Sequence, residues 1–369
     1  MERNRPLSGG RRRDDQNSTH DARVASWPVP ANVPVPLPRP GDLGDVWSGH
    51  LVQGRRALTK VVRTADGTGL TVQEKGESGR FVETADGRRL AIQEKGQPDG
   101  DPVFLLHGTP GSRVGPCPRG SVLYRLGVRL ITFDRPGYGL SDHMVGRSVA
   151  SAAEDVSAIA DALGIDRFSV VGRSGGGPHA LACAALLPDR VLRVAVLVGI
   201  APRAAEGLDW FGGMTESNIT EYRFALAGRS RFADWLAPTV RRIRTDPASL
   251  IASLYHELPE ADRRMVANPG VRAMLVANFA EALRHSQDGW LDDSIAFLSP
   301  WGFDPAAIRV PTLLWHGEKD KISPIGHSRW LAARIRTATM QVEPDAAHFG
   351  SLTALPDLLP WLVNGEKAA

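Results

Sequence analysis

From residue 102 onward the chain alternates short, nearly unbroken apolar runs with stretches of helical spacing, and this constrains the fold more than any other feature. The runs at 102–107, 128–133, 168–172, 192–200, 310–315 and 339–342 read as strands. Continuous apolar runs, as opposed to alternating ones, mark strands covered on both faces. Between them, 149–163, 178–187 and 325–336 carry apolar or small residues at helical spacing. Strand–helix alternation implies an α/β fold with a doubly wound, mostly parallel sheet. Ligand crevices in such sheets lie beyond the C-terminal ends of the strands. The alternation stops over 201–300, where helical runs at 216–227, 230–244, 247–258 and 271–284 occur without a strand. That stretch is expected to be a helical insertion covering the crevice. The core is then 80–200 together with 301–369.

Residues 1–59 differ in kind. Six prolines fall between positions 27 and 40. Each removes a backbone donor and fixes φ, so the segment favours polyproline II. With the arginines at 11–13 it reads as a disordered Pro/Arg-rich arm without a role of its own. No apolar run follows those arginines, so a secretory or twin-arginine signal is not expected. The arm also accounts for the formal charge of +3: residues 1–60 carry a net +4 and the remainder −1. A balanced folded part argues against nucleic acid or a membrane surface as partner. No apolar run reaches the roughly 18 residues of a spanning helix. Two cysteines, Cys117 and Cys183, make a disulfide framework implausible, and the cytoplasm is the expected location.

A short repeat follows the arm. VRTADGTGLTVQEKG (62–76) and VETADGRRLAIQEKG (82–96) are offset by 20 residues. Each reads as strand, Asp-Gly turn, strand. The second copy leads into the strand at 102–107 and is the expected edge of the sheet. The first, at 60–79, is an extra hairpin that either joins that edge or stays off it. An added open edge is where self-association would occur, but nothing else indicates a homo-oligomer.

The chemistry is concentrated at four strand ends. Gly172-Arg173-Ser174-Gly175-Gly176 lies between a strand and a helix of small residues. This is G-x-S-x-G in the strand–turn–helix context of a nucleophile elbow. A Gly-rich packing or phosphate turn is the bland alternative, but the segment lacks the Walker lysine and the G-x-G-x-x-G spacing. A serine nucleophile needs a base and the base an orienting acid. His348, in a small-residue loop after the last strand, is the preferred base over His316 and His327. Glu318 and Asp320, both just after the strand 310–315, are the candidate acids. The turn at 107–111 (HGTPG) can aim the Thr109 N–H at the site, with the Gly175 N–H as second oxyanion donor. The cysteines lack metal spacing and the histidines form no ligand cluster, so no metal or cofactor is expected. Arg173 is either a wall residue with a local partner or a guide for a carboxylate-bearing substrate. Trp210, Phe211, Trp235, Phe279 and Trp290 of the insertion read as helix core before they read as pocket lining.

With HGTPGSR (107–113), DRPGYGLSD (134–142), GRSGGGPHA (172–180), WHGEKD (315–320) and AAHF (346–349) in this order, the chain resembles the α/β-hydrolase fold superfamily, in its subgroup with a helical cap. The resemblance implies Ser174 as nucleophile, His348 as base, and Thr109 and Gly175 as oxyanion donors. It favours Asp320 over Glu318, because the pattern places the acid three residues after a glycine and ahead of a proline, as in Gly317, Asp320 and Pro324. DRPGYGLSD reads as a structural turn, with Arg135 a candidate for the site mouth. The arm and doubled hairpin depart from the family. HGTPG is also similar to the HGGPG of proline iminopeptidases, but nothing else carries that specificity over. The expected function is a cofactor-free serine hydrolase acting on an ester, thioester or amide of a small, fairly apolar substrate, carboxylesterase-like first. The alternatives are a lyase or perhydrolase using the same triad, or a small-molecule receptor without turnover.

Overall fold

The computed structural model describes residues 59–63, 69–75 and 79–365, with side chains from Gly79 onward. The Pro-rich arm lies outside the described residues except for Thr59. In chain order the strands are β1 (Thr59–Arg63), β2 (Gly69–Lys75), β3 (Gly79–Glu83), β4 (Arg89–Gly96), β5 (Asp101–Leu106), β6 (Val128–Phe133), β7 (Phe168–Arg173), β8 (Val191–Leu197), β9 (Thr312–Gly317) and β10 (Ala338–Glu343). The helices are α1 (Gly120–Arg125), α2 (Ser151–Ala162), α3 (Gly176–Leu186), α4 (Glu216–Leu226), α5 (Arg229–Thr245), α6 (Ser249–Leu254), α7 (Glu260–Ala267), α8 (Pro269–Ala282), α9 (Asp288–Leu298), α10 (Gly326–Arg334) and α11 (Ser351–Asn364). Single 3-10 turns occupy Pro305–Ala307 and His348–Gly350.

The ten strands form one sheet in the order β1-β2-β3-β4-β6-β5-β7-β8-β9-β10. All pairings among β5 to β10 are parallel, and β1 to β4 are antiparallel, with β4 joining β6. The chain leaves β5 for β6 on one side and returns to β7 on the other. That reversal makes β5 the switch point, and it sets the loops after β5 and β7 side by side at the C-terminal edge. Both repeat copies form hairpins, and the first extends the edge, with Val72 opposite Val82. The second is tied to the body by Arg88, which reaches Asp155 of α2 at 2.9 Å, and by Arg89 on Asp142.

The apolar runs fill both sides of the sheet. Phe104, Phe168 and Val194 pack with α2, α3 and α10, while Leu105, Val171 and Leu197 pack with α11. The first cluster continues into the insertion through Trp210, Tyr222 and Phe297. A further cluster, including Phe232, Leu236, Leu275 and Trp290, lies mostly within the insertion itself. Trp210, Phe279 and Trp290 are therefore core, the last two on α8 and α9 and Trp210, contrary to expectation, in a turn ahead of α4. The small residues of α3 let it lie against the sheet: a Cβ at Gly177 would fall 2.8 Å from Val196 Cγ1.

Several elements differ from the expected ones. Strand β8 ends at Leu197, not at residue 200, because Val198 turns to φ 48°. The helix expected over 247–258 shortens to Ser249–Leu254. Helices α1, α7, α9 and α11 fall outside the expected runs. Pro356 and Pro360 inside α11 break the pattern by which a helix is recognised. No helix among the described residues is long and apolar enough to cross a membrane.

Candidate active site

Ser174 stands between β7 and α3 with φ 54°, a left-handed conformation that a non-glycine residue rarely holds. Such strain costs on the order of 1–3 kcal/mol and persists only where the surroundings enforce it. The neighbours show how. A Cβ at Gly172 would lie 2.2 Å from the Gly176 carbonyl oxygen, and one at Gly175 would lie 2.3 Å from Thr109 Oγ1. The turn is thus tight, and it abuts the loop after β5. Ser174 is half-buried, and its hydroxyl makes no hydrogen bond to His348 or to any other described residue. Catalytic contacts of this kind commonly close only around bound substrate.

His348 and Asp320 meet at the same edge. His348 Nδ1 lies 2.8 Å from Asp320 Oδ2. Asp320 Oδ1 accepts the N–H groups of Ile322 (2.8 Å) and Ser323 (3.0 Å). Burial opposes the Asp320 charge, but attraction to His348 and bonds from His316 and His348 outweigh it, so the carboxyl titrates below its usual range. Glu318 instead points to the exterior, 3.2 Å from Arg329. Ser323 Oγ donates to the Val198 carbonyl at 2.6 Å, which ties the acid-bearing loop to the turn after β8. His316 is buried between Ser328 and the Ser323 carbonyl, and His327 Nδ1 accepts the Ala201 N–H. Neither of these histidines is free to serve Ser174.

The N–H groups of Thr109 and Gly175 donate to no described residue. Two unspent backbone donors at the elbow are what a forming oxyanion requires. The loop that carries Thr109 is held by Arg135 and Asp293. Arg135 donates to the carbonyls of His107 and Gly108 and lies 2.6 Å from Asp293. Asp293, on α9 of the insertion, also receives Thr109 Oγ1 (2.5 Å), Tyr138 OH (2.9 Å) and Arg147 (2.6 Å). Arg135 is 1% exposed, so it braces the loop that carries Thr109 and does not line the site mouth as expected. Burial disfavours the Asp293 charge, yet Arg135 and Arg147 hold its carboxyl well below the usual range.

A small cavity of about 20 Å³, room for about one water, is lined by Gly108, Ser112, Thr132, Arg173 and Asn278, and neither Ser174 nor His348 lines it. The Arg173 guanidinium has one long bond, 3.5 Å to Ser351 Oγ, and no carboxylate within ion-pair distance among the described residues. Burial lowers it to about 10, with Asp262 and Asp320 pulling the other way, so it stays cationic. Asn278 fastens α8 to Ser112, accepting its N–H at 2.9 Å. Asp262 of α7 accepts the N–H groups of His348 and Phe349. Asp262, Asn278 and Asp293 all come from the insertion and had no sequence signal, since a lone polar residue on a helix reads as its solvated face. Among the described residues no group of His, Cys, Asp or Glu is arranged to hold a metal ion.

An open α/β sheet with a strained serine elbow and a His–Asp pair at its C-terminal edge defines a class of hydrolytic proteins. The model of the alpha/beta hydrolase fold family matches residues 101–355, and the chain belongs to that family. It is 30% identical over 258 residues to 2-hydroxymuconate semialdehyde hydrolase of Pseudomonas putida, covering 69% of this chain and 82% of that protein. It is 28% identical over 240 residues to pimeloyl-[acyl-carrier protein] methyl ester esterase of Chromobacterium violaceum, covering 62% and 82%. Among solved structures, the enol-lactonase from Burkholderia xenovorans LB400 superposes with a TM-score of 0.56 at 22% identity, covering 77% of this chain and 98% of that one. At that identity the likeness concerns the fold.

Proposed function

We propose that the protein is a serine hydrolase that cleaves an ester, thioester or amide bond of a small, fairly apolar substrate through an acyl-enzyme. The observation that carries this reading is the 2.8 Å His348–Asp320 contact at the same sheet edge as the strained Ser174 turn. With Nδ1 engaged by Asp320, His348 uses Nε2 to take the Ser174 proton as Oγ attacks the carbonyl carbon. The N–H groups of Thr109 and Gly175 receive the oxyanion. The imidazolium, stabilised by the Asp320 charge, then protonates the leaving group. A water deprotonated by His348 attacks the acyl carbon, and its collapse returns Ser174 and releases the acid.

Relatives named as a hydrolase and as a methyl ester esterase support ester hydrolysis as the first activity to test. The second reading of Arg173, a guide for a carboxylate-bearing substrate, rests on its guanidinium having no carboxylate within ion-pair distance among the described residues. The reading needs no macromolecular partner, and the cytoplasm is its proposed location. The test is hydrolysis of p-nitrophenyl acetate and butyrate together with fluorophosphonate labelling, for wild type and Ser174→Ala. Sustained turnover and labelling, both lost in the variant, are expected. Labelling without turnover would point to a receptor, and neither in a folded sample would overturn the nucleophile assignment.

A further inference from the structure

Asp262 reaches the catalytic histidine from outside the triad. It lies in the first turn of α7 and is 0% exposed. Its two oxygens accept one main-chain N–H each, from His348 at 3.2 Å and from Phe349 at 2.7 Å. These are the leading donors of the 3-10 turn His348–Gly350, whose preceding residue, Ala347, offers no side-chain cap. Asp262 therefore does from a separate element what an N-cap side chain does locally, and does so with a charge.

The charged groups that face Asp262 come from three places: His348 itself, Asp320 after β9, and Arg173 at the end of β7. No lysine or arginine among the described residues lies within ion-pair distance of it. Burial raises Asp262 to about 6, while attraction to His348 and the two amide bonds pull it down. A buried carboxylate without a paired cation is costly unless hydrogen bonds compensate. Here the compensation is the segment that bears the base. An acid in the first turn ordinarily complements the helix's own dipole, whereas this one is spent on another element.

We propose that Asp262 is a positioning residue for His348: it holds the main chain of the histidine segment from the insertion, and its charge steadies the imidazolium formed during turnover. The proposal rests on the triad reading above. The base is then fixed from two sides, its ring by Asp320 and its backbone by Asp262. The insertion becomes part of the catalytic unit as well as its cover.

The test compares full-length wild type, Asp262→Asn and Asp262→Ala in p-nitrophenyl butyrate hydrolysis, measuring kcat, KM and the pH dependence of kcat/KM. Glu260→Gln, exposed in the same turn, is the control and is expected to match wild type. Asp262→Asn is expected to lower kcat by about 10-fold or more, as misplacement of a catalytic group does, with KM within about 3-fold, and Asp262→Ala to lower it further. Removing a negative charge near the imidazolium disfavours it, so the acid limb shifts to lower pH in both variants. A folded Asp262→Asn with wild-type kcat and acid limb would overturn the proposal, while loss of activity in Ser174→Ala would leave the triad reading standing. Should both Asp262 variants fail to fold, the wild-type amide resonances decide. Those of His348 and Phe349 are expected to lie downfield and to exchange slowly with solvent, as N–H groups bonded to a buried carboxylate do, and fast exchange at both would refute the bonds themselves.

Discussion

Replacing Asp293 by Asn tests how the loop that carries Thr109, the proposed oxyanion donor, is held. The substitution keeps the shape but removes the charge, and it turns one acceptor oxygen into a donor facing donors. Two guanidiniums, Arg135 and Arg147, each 2.6 Å from the carboxylate and with side chains no more than 2% exposed, would lose their counter-charge. Removing one partner of a buried pair costs about 3–5 kcal/mol. Since two arginines share this one acid, about 3 kcal/mol is a lower bound. That is a large part of a total stability of roughly 5–15 kcal/mol. With an unfolding entropy of about 0.6 kcal/mol/K for the stretch 79–365, each kcal/mol is worth about 1.7 °C, so Tm falls by roughly 5 °C or more. The pH dependence follows from the depressed carboxyl, in which Arg135 and Arg147 outweigh burial. A lowered native value means that the contribution is complete above the unfolded carboxylate value of about 4 and fades only in stronger acid. The Tm deficit should therefore be constant between about pH 5 and 8, as read by circular dichroism and tryptophan fluorescence. Thr109 loses its 2.5 Å contact in the same step, so the folded variant should also acylate more slowly, with a ceiling near 10²–10³-fold for one oxyanion donor. A Tm within about 2 °C of wild type, or a deficit that shrinks from pH 8 to 5, would refute the argument.

Three further outcomes are expected. Gly175→Ala would place a methyl 2.3 Å from Thr109 Oγ1, so fluorophosphonate labelling of a folded sample should slow by about 10²-fold or more. Asp320→Asn should lower kcat by about 10⁴-fold by releasing the wrong histidine tautomer, whereas Glu318→Gln, directed at Arg329, should retain wild-type turnover. Arg173→Gln should reduce the kcat/KM ratio of mono-p-nitrophenyl succinate to p-nitrophenyl butyrate by roughly 10-fold, the worth of one charge-assisted hydrogen bond. An unchanged ratio would remove the anionic-substrate preference.

The parallel strands were legible because burial on both faces leaves no alternation with solvent-facing positions, as in β7 and β9, whose successive residues are nearly all buried. The elbow was legible for a related reason: a left-handed serine forces glycine on its neighbours, so the strain is written into Gly172 and Gly175. The choice between Glu318 and Asp320 was not settled by residues alone, because both follow β9. It turns on Asp320 folding back to accept two N–H groups of its own loop. Asp262 and Asp293 were illegible for a deeper reason. Each sits on a helix among ordinary charged neighbours, and its partners lie 86 residues away, at His348, and 184 residues away, at Thr109. Arg135 was misread because a surface turn and a buried brace use the same residues. Helix α11 was hidden by its two prolines.

The three insertion side chains described above bear on engineering. In sequence, 201–300 looks like a cassette that could be exchanged to install a new substrate preference. It is not separable in that way. Asp293 neutralises two arginines rooted in the parent scaffold, Asn278 fastens the loop at Ser112, and Asp262 bonds the main chain at His348 and Phe349. A chimaera that imports a foreign cassette without these residues strands the guanidiniums of Arg135 and Arg147 and releases His348, whatever the quality of its new pocket. Transplants into this scaffold should therefore keep three fixed points and vary the surface between them.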